Sequence, residues 1–77
     1  MSTGKVNIYY IIGQNIKKFR KEKGLTGAQL ALKCNLSHGY IKNLEAKNVD
    51  ATISIETLGL IADVLKTDIT EFLKYYN

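Results

Sequence analysis

Apolar residues recur every three or four positions along this chain, and nowhere do they alternate with polar residues as in a β-strand. The first stripe of this kind consists of Ile8, Ile12, Ile16 and Phe19. It predicts a first helix that begins after Asn7 as its cap and runs to about Lys23, where Gly24 ends it. We therefore expect an all-α fold.

Two shorter helices follow, and each has its own N-terminal signal. Thr26, with Gln29 three residues later, forms a capping box, and Ser37 caps the next helix. Asn35 lies between the helices and suits the left-handed conformation that ends a helix sharply. The predicted ranges are residues 27–34 for helix 2 and residues 38–46 for helix 3. Two short helices joined by a tight turn form the geometry that lets the second helix enter a DNA major groove.

The second half of the chain predicts two further helices. Ser54 caps helix 4, and Asp68 and Glu71 begin helix 5, where carboxylates suit the helix dipole. The inward stripe of helix 4 consists of Leu58, Ile61, Ala62 and Leu65. Residues 1–6 lack periodicity and are expected to form a flexible arm. We therefore expect a single domain over residues 1–77, built from five helices.

Arg20 falls on the same helix face as the first apolar stripe, four residues after Ile16. A guanidinium at that position needs a carboxylate, because an unpaired buried charge is strongly destabilising. Glu45 is the candidate, since it stands four residues after Ile41 on the inward side of helix 3. We predict a structural salt bridge between Arg20 and Glu45 that links helix 1 to the end of helix 3.

Charge is distributed unevenly along the chain. Residues 1–48 contain nine Lys or Arg and two acidic residues, which gives a net charge of +7. Residues 49–77 contain two Lys and five acidic residues, which gives a net charge of −3. The basic half contains the two short helices. A merely solvated lysine-rich helix gives no reason for the imbalance to follow that motif. We therefore expect a polyanion to bind one end of the molecule.

The composition, with 45% hydrophobic and 23% charged residues, is typical of one small globular domain. No apolar run approaches the ~20 residues of a membrane span, so we expect no membrane association. If the two short helices bind DNA, the expected location is cytoplasmic and nucleoid-associated. The single cysteine, Cys34, excludes an intrachain disulfide and a cysteine-rich zinc site. We interpret it as a small buried hydrophobe, and a redox sensor is the less favoured alternative.

The sequence contains few residues of the types that form catalytic sites. The chain contains one histidine and one cysteine, and it lacks the H-E-x-x-H, P-loop and paired-carboxylate patterns. We therefore expect no enzyme activity, no catalytic residues, no metal site and no cofactor.

Two segments carry a family resemblance. They are IGQNIKKFRKEKGLTGAQLALKCNLSHGYIKNLE and SIETLGLIADVLKTDITEFL, within residues 12–73. They resemble the lambda-repressor-like, Cro-type helix-turn-helix family of DNA-binding regulators. The resemblance implies a compact five-helix domain with helices 2 and 3 as the helix-turn-helix. It also implies a sequence-specific regulator that binds double-stranded DNA, which we expect to be a repressor. We expect a homodimer formed through helix 5 and the tyrosines near the termini.

The resemblance also implies roles for individual side chains. His38, Gly39 and Asn43 match positions that commonly face base edges, and the amide of Asn43 can both donate to and accept from adenine. The candidate phosphate contacts are Thr26, Gly27, Gln29, Tyr40, Lys42, Lys47 and Asn48. The chain departs from the family pattern at position 27, where glutamine is common. It also departs in the linker after helix 3, which lacks the usual glycine and proline.

A protein-interaction module on the same fold, such as a coactivator or an antitoxin-like partner, is the alternative function, because a fold does not fix a function. The two functions differ at Asn43. Its truncation should remove discrimination at one base pair in a DNA reader and leave an interaction module unaffected. We also allow for an unidentified protein antagonist as a partner.

Overall fold

Four α-helices and one 3₁₀ helix follow one another in the computed structural model, which describes residues 7–47 and 51–76. They are α1 (Ile8–Glu22), α2 (Gly27–Cys34), α3 (His38–Glu45), α4 (Ile55–Val64) and the 3₁₀ helix Ile69–Leu73. Within the described residues there is no β-strand, so the predicted all-α class is confirmed. α1 and α3 each end one residue before the predicted position. The predicted arm, residues 1–6, and the candidate contact Asn48 lie outside the described residues.

Each α-helix begins at a residue whose side chain accepts hydrogen bonds from the first free amides. The caps of α1, α3 and α4 are Asn7, Ser37 and Ser54. At α2, Thr26 Oγ1 accepts from the Gln29 amide at 3.1 Å, while Gln29 Oε1 accepts from the Thr26 amide at 2.8 Å. Asn35 ends α2 with a left-handed φ of 56°. Local sequence signals therefore set the limits of the helix-turn-helix.

The fifth element is a 3₁₀ helix of five residues rather than the predicted α-helix. Asp68 is its cap as predicted, and the hydrogen bonds that it accepts from Thr70 lower the pKa of Asp68. The chain is extended at Lys74. The physical reason lies in α1, where the side-chain amide of Asn15 donates to the backbone carbonyls of Phe72 and Lys74 at 2.7 and 2.8 Å. These two hydrogen bonds favour the extended course of the chain after Leu73 over continuation as an α-helix.

One apolar core lies among all five elements. Its buried members are Ile12, Ile16, Phe19, Leu30, Ala31, Cys34, Ile41, Leu44, Leu58, Ile61, Ala62, Leu65 and Phe72. Burial raises the pKa of the Cys34 thiol, so this residue packs as the small core side chain that the sequence indicated. In the part of the chain that the structure describes, no helix has the length and apolar character needed to cross a membrane.

Asn15 is the one polar residue that is fully buried among the described residues, with 4% of its surface exposed. Aromatic contacts join α1 to the C-terminal segment that Asn15 binds. Phe19 meets Phe72 edge to face with 5.0 Å between ring centroids, and it meets Tyr76 in the same way at 6.0 Å. Lys18 Nζ lies 4.6 Å from the centroid of the Tyr76 ring. These contacts hold the C-terminal segment against α1.

The last turn of α3 is fixed to α1 by polar contacts. Arg20 Nε and Nη2 donate to the two carboxylate oxygens of Glu45 at 2.7 and 2.8 Å, and Nη1 donates to the Leu25 carbonyl at 2.8 Å. The two charged side chains are 11% and 10% exposed, and the hydrogen bonds to Glu45 raise the pKa of Arg20. Gln14 Nε2 donates to the backbone carbonyl of Glu45 at 3.1 Å. The end of α3 is thus held by both its side chain and its backbone.

Gly13 lies where α1 approaches the last turn of α3 most closely. A Cβ at this position would overlap the backbone carbonyl oxygen of Leu44. The distance between the two helices therefore requires glycine here.

Asn15→Ala should lower the free energy of unfolding by roughly 1–3 kcal/mol, because the carbonyls of Phe72 and Lys74 lose their donor inside the protein. Urea denaturation followed by circular dichroism measures the change. Lys21→Ala, on the exposed side of α1, is the matched control and should change stability by less than about 0.5 kcal/mol. Equal stability of Asn15→Ala and the wild type would contradict this role for Asn15.

Gly13→Ala and Gly39→Ala should have opposite effects, although both replace a glycine within a helix. The first should cost roughly 1–3 kcal/mol of stability, because the new methyl group meets the Leu44 carbonyl. The second should add up to about 1 kcal/mol, since nothing lies within 4 Å of its added Cβ and alanine favours a helix. Thermal unfolding of both variants tests the difference. A Gly13→Ala protein as stable as Gly39→Ala would refute the close approach.

Arg20→Met should lower the free energy of unfolding by roughly 3 kcal/mol, because Glu45 is left charged and nearly buried without its partner. The double variant Arg20→Met/Glu45→Leu should regain much of that loss, since neither charge remains. Denaturant titrations of the wild type, the single variant and the double variant measure both effects. A double variant that is no more stable than the single one would argue against a penalty from the unpaired charge.

Candidate nucleic-acid interface

α3 presents one apolar and one polar face. Ile41 and Leu44 are buried, while the opposite face is exposed. The exposed set consists of His38, Gly39, Lys42 and Asn43. Three of these are the residues expected at base edges, and the structure brings them together on a helix of eight residues. None of them has a role in the core.

Tyr40 lies at the side of this surface and is half-buried against the core. Its hydroxyl donates to the backbone carbonyl of Thr52 at 3.3 Å, and burial raises the pKa of Tyr40. The side chain therefore connects α3 to the segment before α4. Its hydroxyl proton therefore already has an acceptor within the protein.

The N-terminus of α2 adjoins the start of α3. Gln29 Oε1 is bound in the capping box with Thr26, so its Nε2 is the remaining donor of that side chain. The point where a Cβ of Gly27 would stand lies 3.3 Å from His38 Nε2. The ring of His38 therefore lies over the first residue of α2. The sequence analysis missed this contact, because it joins two residues that are eleven positions apart in different helices.

The remaining candidate contacts lie at the other end of α3. Lys42 is exposed on the outer face of α3, and Lys47 is exposed just beyond its last turn. Arg20 and Glu45 form the ion pair described above, so they position α3 and are not free to bind a ligand. Side chains that can donate hydrogen bonds thus occur from His38 at the start of α3 to Lys47 just beyond its end.

The arrangement offers hydrogen-bond donors, positive charge and one side-chain amide that can also accept. These groups suit a ligand that combines phosphate charge with patterned hydrogen-bonding edges. Within the described residues, no three His, Cys, Asp or Glu side chains lie close enough together to hold a metal ion.

A second feature lies between α1 and the C-terminal segment. A cavity of about 240 Å³ is lined by Tyr10, Ile11, Gln14, Asn15, Tyr75 and Tyr76. Three of these residues are among the tyrosines expected at a dimer interface, and each is exposed, as is Tyr9. The structure therefore brings the tyrosines from the two ends of the chain to one region of the surface.

Known proteins match this chain over most of its length. A family model described as helix-turn-helix matches residues 16–72. The HTH-type transcriptional regulator SinR of Bacillus subtilis is 35% identical over 63 residues, which are 82% of this chain and 56% of SinR. The immunity repressor protein of Bacillus phage phi105 is 43% identical over 54 residues, which are 70% of this chain and 36% of the repressor. The chain thus spans about half the length of SinR and about a third of the phage protein.

Solved structures agree with this assignment. The crystal structure of SinR in complex with DNA is similar to this chain with a TM-score of 0.75 at 35% identity, over 82% of this chain and 98% of the SinR chain. These relatives are transcriptional regulators, and their family is not enzymatic. The chain belongs to the Cro/cI-like (XRE-type) helix-turn-helix family of transcriptional regulators.

Proposed function

We propose that this chain binds double-stranded DNA in a sequence-specific manner, with α3 in the major groove, and acts in the cytoplasm as a homodimeric transcriptional repressor. One observation supports this most strongly. α3 has a wholly exposed polar face, while its inner face and its last turn are fixed by the core and by α1. A side chain that reads bases must be held in a defined position and must also be free to reach them.

In this proposal His38, Gly39 and Asn43 face the bases. Asn43 is exposed, and its amide can make the bidentate contact with adenine. Gly39 has open space where a Cβ would stand, so the fold does not require glycine there. Its missing side chain lets the surface of α3 approach the floor of the groove closely, for example around a thymine methyl group.

Phosphate contacts supply affinity that does not depend on sequence. Their proposed donors are Thr26, Gly27 and Gln29 at the start of α2, Lys42 and Tyr40 on α3, and Lys47 and Asn48 after it. The helix dipole favours an anion at the amide of Gly27. The Tyr40 hydroxyl donates to the Thr52 carbonyl in the free protein. To contact a phosphate, it would have to break this hydrogen bond and donate to a phosphate oxygen instead.

We propose that the dimer forms through the surface around the cavity described above. Ile8, Tyr9 and Tyr10 begin α1, and Leu73, Tyr75 and Tyr76 end the described chain; all six are exposed. Tyrosine is enriched at protein interfaces because its ring is apolar and its hydroxyl can bind water or a partner. Two copies would place their α3 helices in half-sites about 34 Å apart on one face of the duplex.

The first experiment is selection of bound sequences from a random duplex pool. A palindromic consensus is the expected result, because two related subunits read two related half-sites. Titrations of the consensus and of a scrambled duplex at two salt concentrations then separate specific from nonspecific affinity. Equal affinity for both duplexes at every salt concentration would contradict sequence-specific binding and leave the interaction module as the alternative.

Asn43→Ala should lower the affinity for the consensus by about tenfold, and it should abolish discrimination at one base pair of each half-site, because the bidentate contact is lost. Lys42→Ala is the comparison on the same helix face. It should weaken binding to all duplexes alike and reduce the salt slope by about one, as expected for one phosphate contact. An Asn43→Ala protein with the wild-type base preference at every position would refute the assignment.

A further inference from the structure

The His38 ring rests on the first residue of α2. From the position of a Cβ built on Gly27, His38 Nε2 is 3.3 Å away and Cδ2 is 3.5 Å away. One edge of the ring therefore faces the backbone of Gly27. Nδ1 is the ring nitrogen opposite this edge. The ring is exposed, but α2 restricts the direction in which it lies.

The backbone of Gly27 does not itself require glycine. Gly24, the residue that ends α1, has a φ of +71°, a conformation that other residues rarely adopt. Gly27 is a regular first residue of α2, where alanine would favour the helix. The space beside it is occupied by the ring of His38, and Ile41 Cγ2 lies at an ordinary contact distance of 3.8 Å. What glycine provides at this position is therefore room for that ring.

We propose that Gly27 is a specificity-determining residue that acts through His38, an inference that rests on the proposed function. Without a side chain at position 27, the His38 ring lies against α2 and presents Nδ1 to one base pair. A methyl group at position 27 would lie 3.3 Å from His38 Nε2, which is tighter than nine in ten real Cβ contacts. The ring then has to shift by a few tenths of an ångström, and the base preference at that position changes. Gly27 is thus a positioning residue, and its influence on sequence choice is separate from any phosphate contact made by its backbone amide.

The fold tolerates this change because only the end of one exposed side chain has to move. Gly27→Ala should therefore leave the midpoint of thermal unfolding unchanged or raise it. Its backbone amide remains, so a phosphate contact at the helix N-terminus is retained. These two points separate the proposed effect from misfolding and from loss of a phosphate contact.

The test is a double-mutant cycle with Gly27→Ala, His38→Ala and both together, measured on the selected duplex and on every single base-pair variant of it. Gly27→Ala should change discrimination by about tenfold at the base pair that His38→Ala affects, and nowhere else. In the His38→Ala background it should have no effect on the profile. Asn43→Ala provides the control, since Gly27→Ala should leave the base pair read by Asn43 unaffected.

A Gly27→Ala profile identical to that of the wild type would overturn the proposal, and so would an effect that persists without His38. Both results leave the proposed function standing, because the wild type still prefers its consensus. If the wild type shows no preference at all, the proposed function and this inference fall together.

A measurement on the free protein gives independent support. A nuclear Overhauser effect between the His38 Cδ2 proton and the Gly27 α-protons is expected, and its absence would overturn the arrangement whatever the DNA results show.

Discussion

Arg20 and Glu45 are two charged side chains that are almost removed from water, and each depends on the other. A pair of this kind contributes little net stability compared with apolar residues, but its bidentate geometry is specific. Here it fixes the last residue of α3 against α1. Gln14 binds the carbonyl of the same residue, and Gly13 lets the two helices approach closely. The position and tilt of α3 therefore follow from these contacts at its last turn and from the packing of Ile41 and Leu44 in the core, away from its exposed face.

This arrangement leaves the exposed residues of α3 free for another role. Within the described residues, the side chains of Lys42 and Asn43 are exposed and form no hydrogen bond or salt bridge, and Gly39 borders open space. Neighbouring polar groups are different, because Gln29 takes part in a capping box and Tyr40 is bound to Thr52. The surface thus contains two kinds of polar side chain. Gln29 and Tyr40 form hydrogen bonds within the protein, whereas Lys42 and Asn43 are available to a ligand. Residue type alone is therefore a poor guide to which polar side chain is available to a ligand.

The C-terminal segment depends on one buried amide. Asn15 binds two carbonyls that lie 57 and 59 residues away along the chain. In doing so it ends the fifth element after a few residues of 3₁₀ helix and leads the chain across α1. The tyrosines from both ends then lie around one cavity. The surface that we propose for dimerisation therefore depends on the two hydrogen bonds of Asn15 together with the aromatic contacts of Phe19.

The sequence alone determined the features that depend on near neighbours or on the period of a helix. The caps at Asn7, Thr26, Ser37 and Ser54 and the left-handed turn at Asn35 are local, so they fixed the ends of the helices. The pairing of Arg20 with Glu45 also followed, because each lies on a helix face that must turn inward. The exposed face of α3 followed from the same periodicity.

Tertiary structure decided the features that join distant positions without a repeating pattern. These include the carbonyls that accept from Asn15, the fit of Gly13 against Leu44 and the placement of His38 over Gly27. A glycine in a sequence does not show whether its space is empty, as at Gly39, or filled by a neighbour, as at Gly27. That difference depends on where other helices pack, because only the folded chain sets which side chains meet.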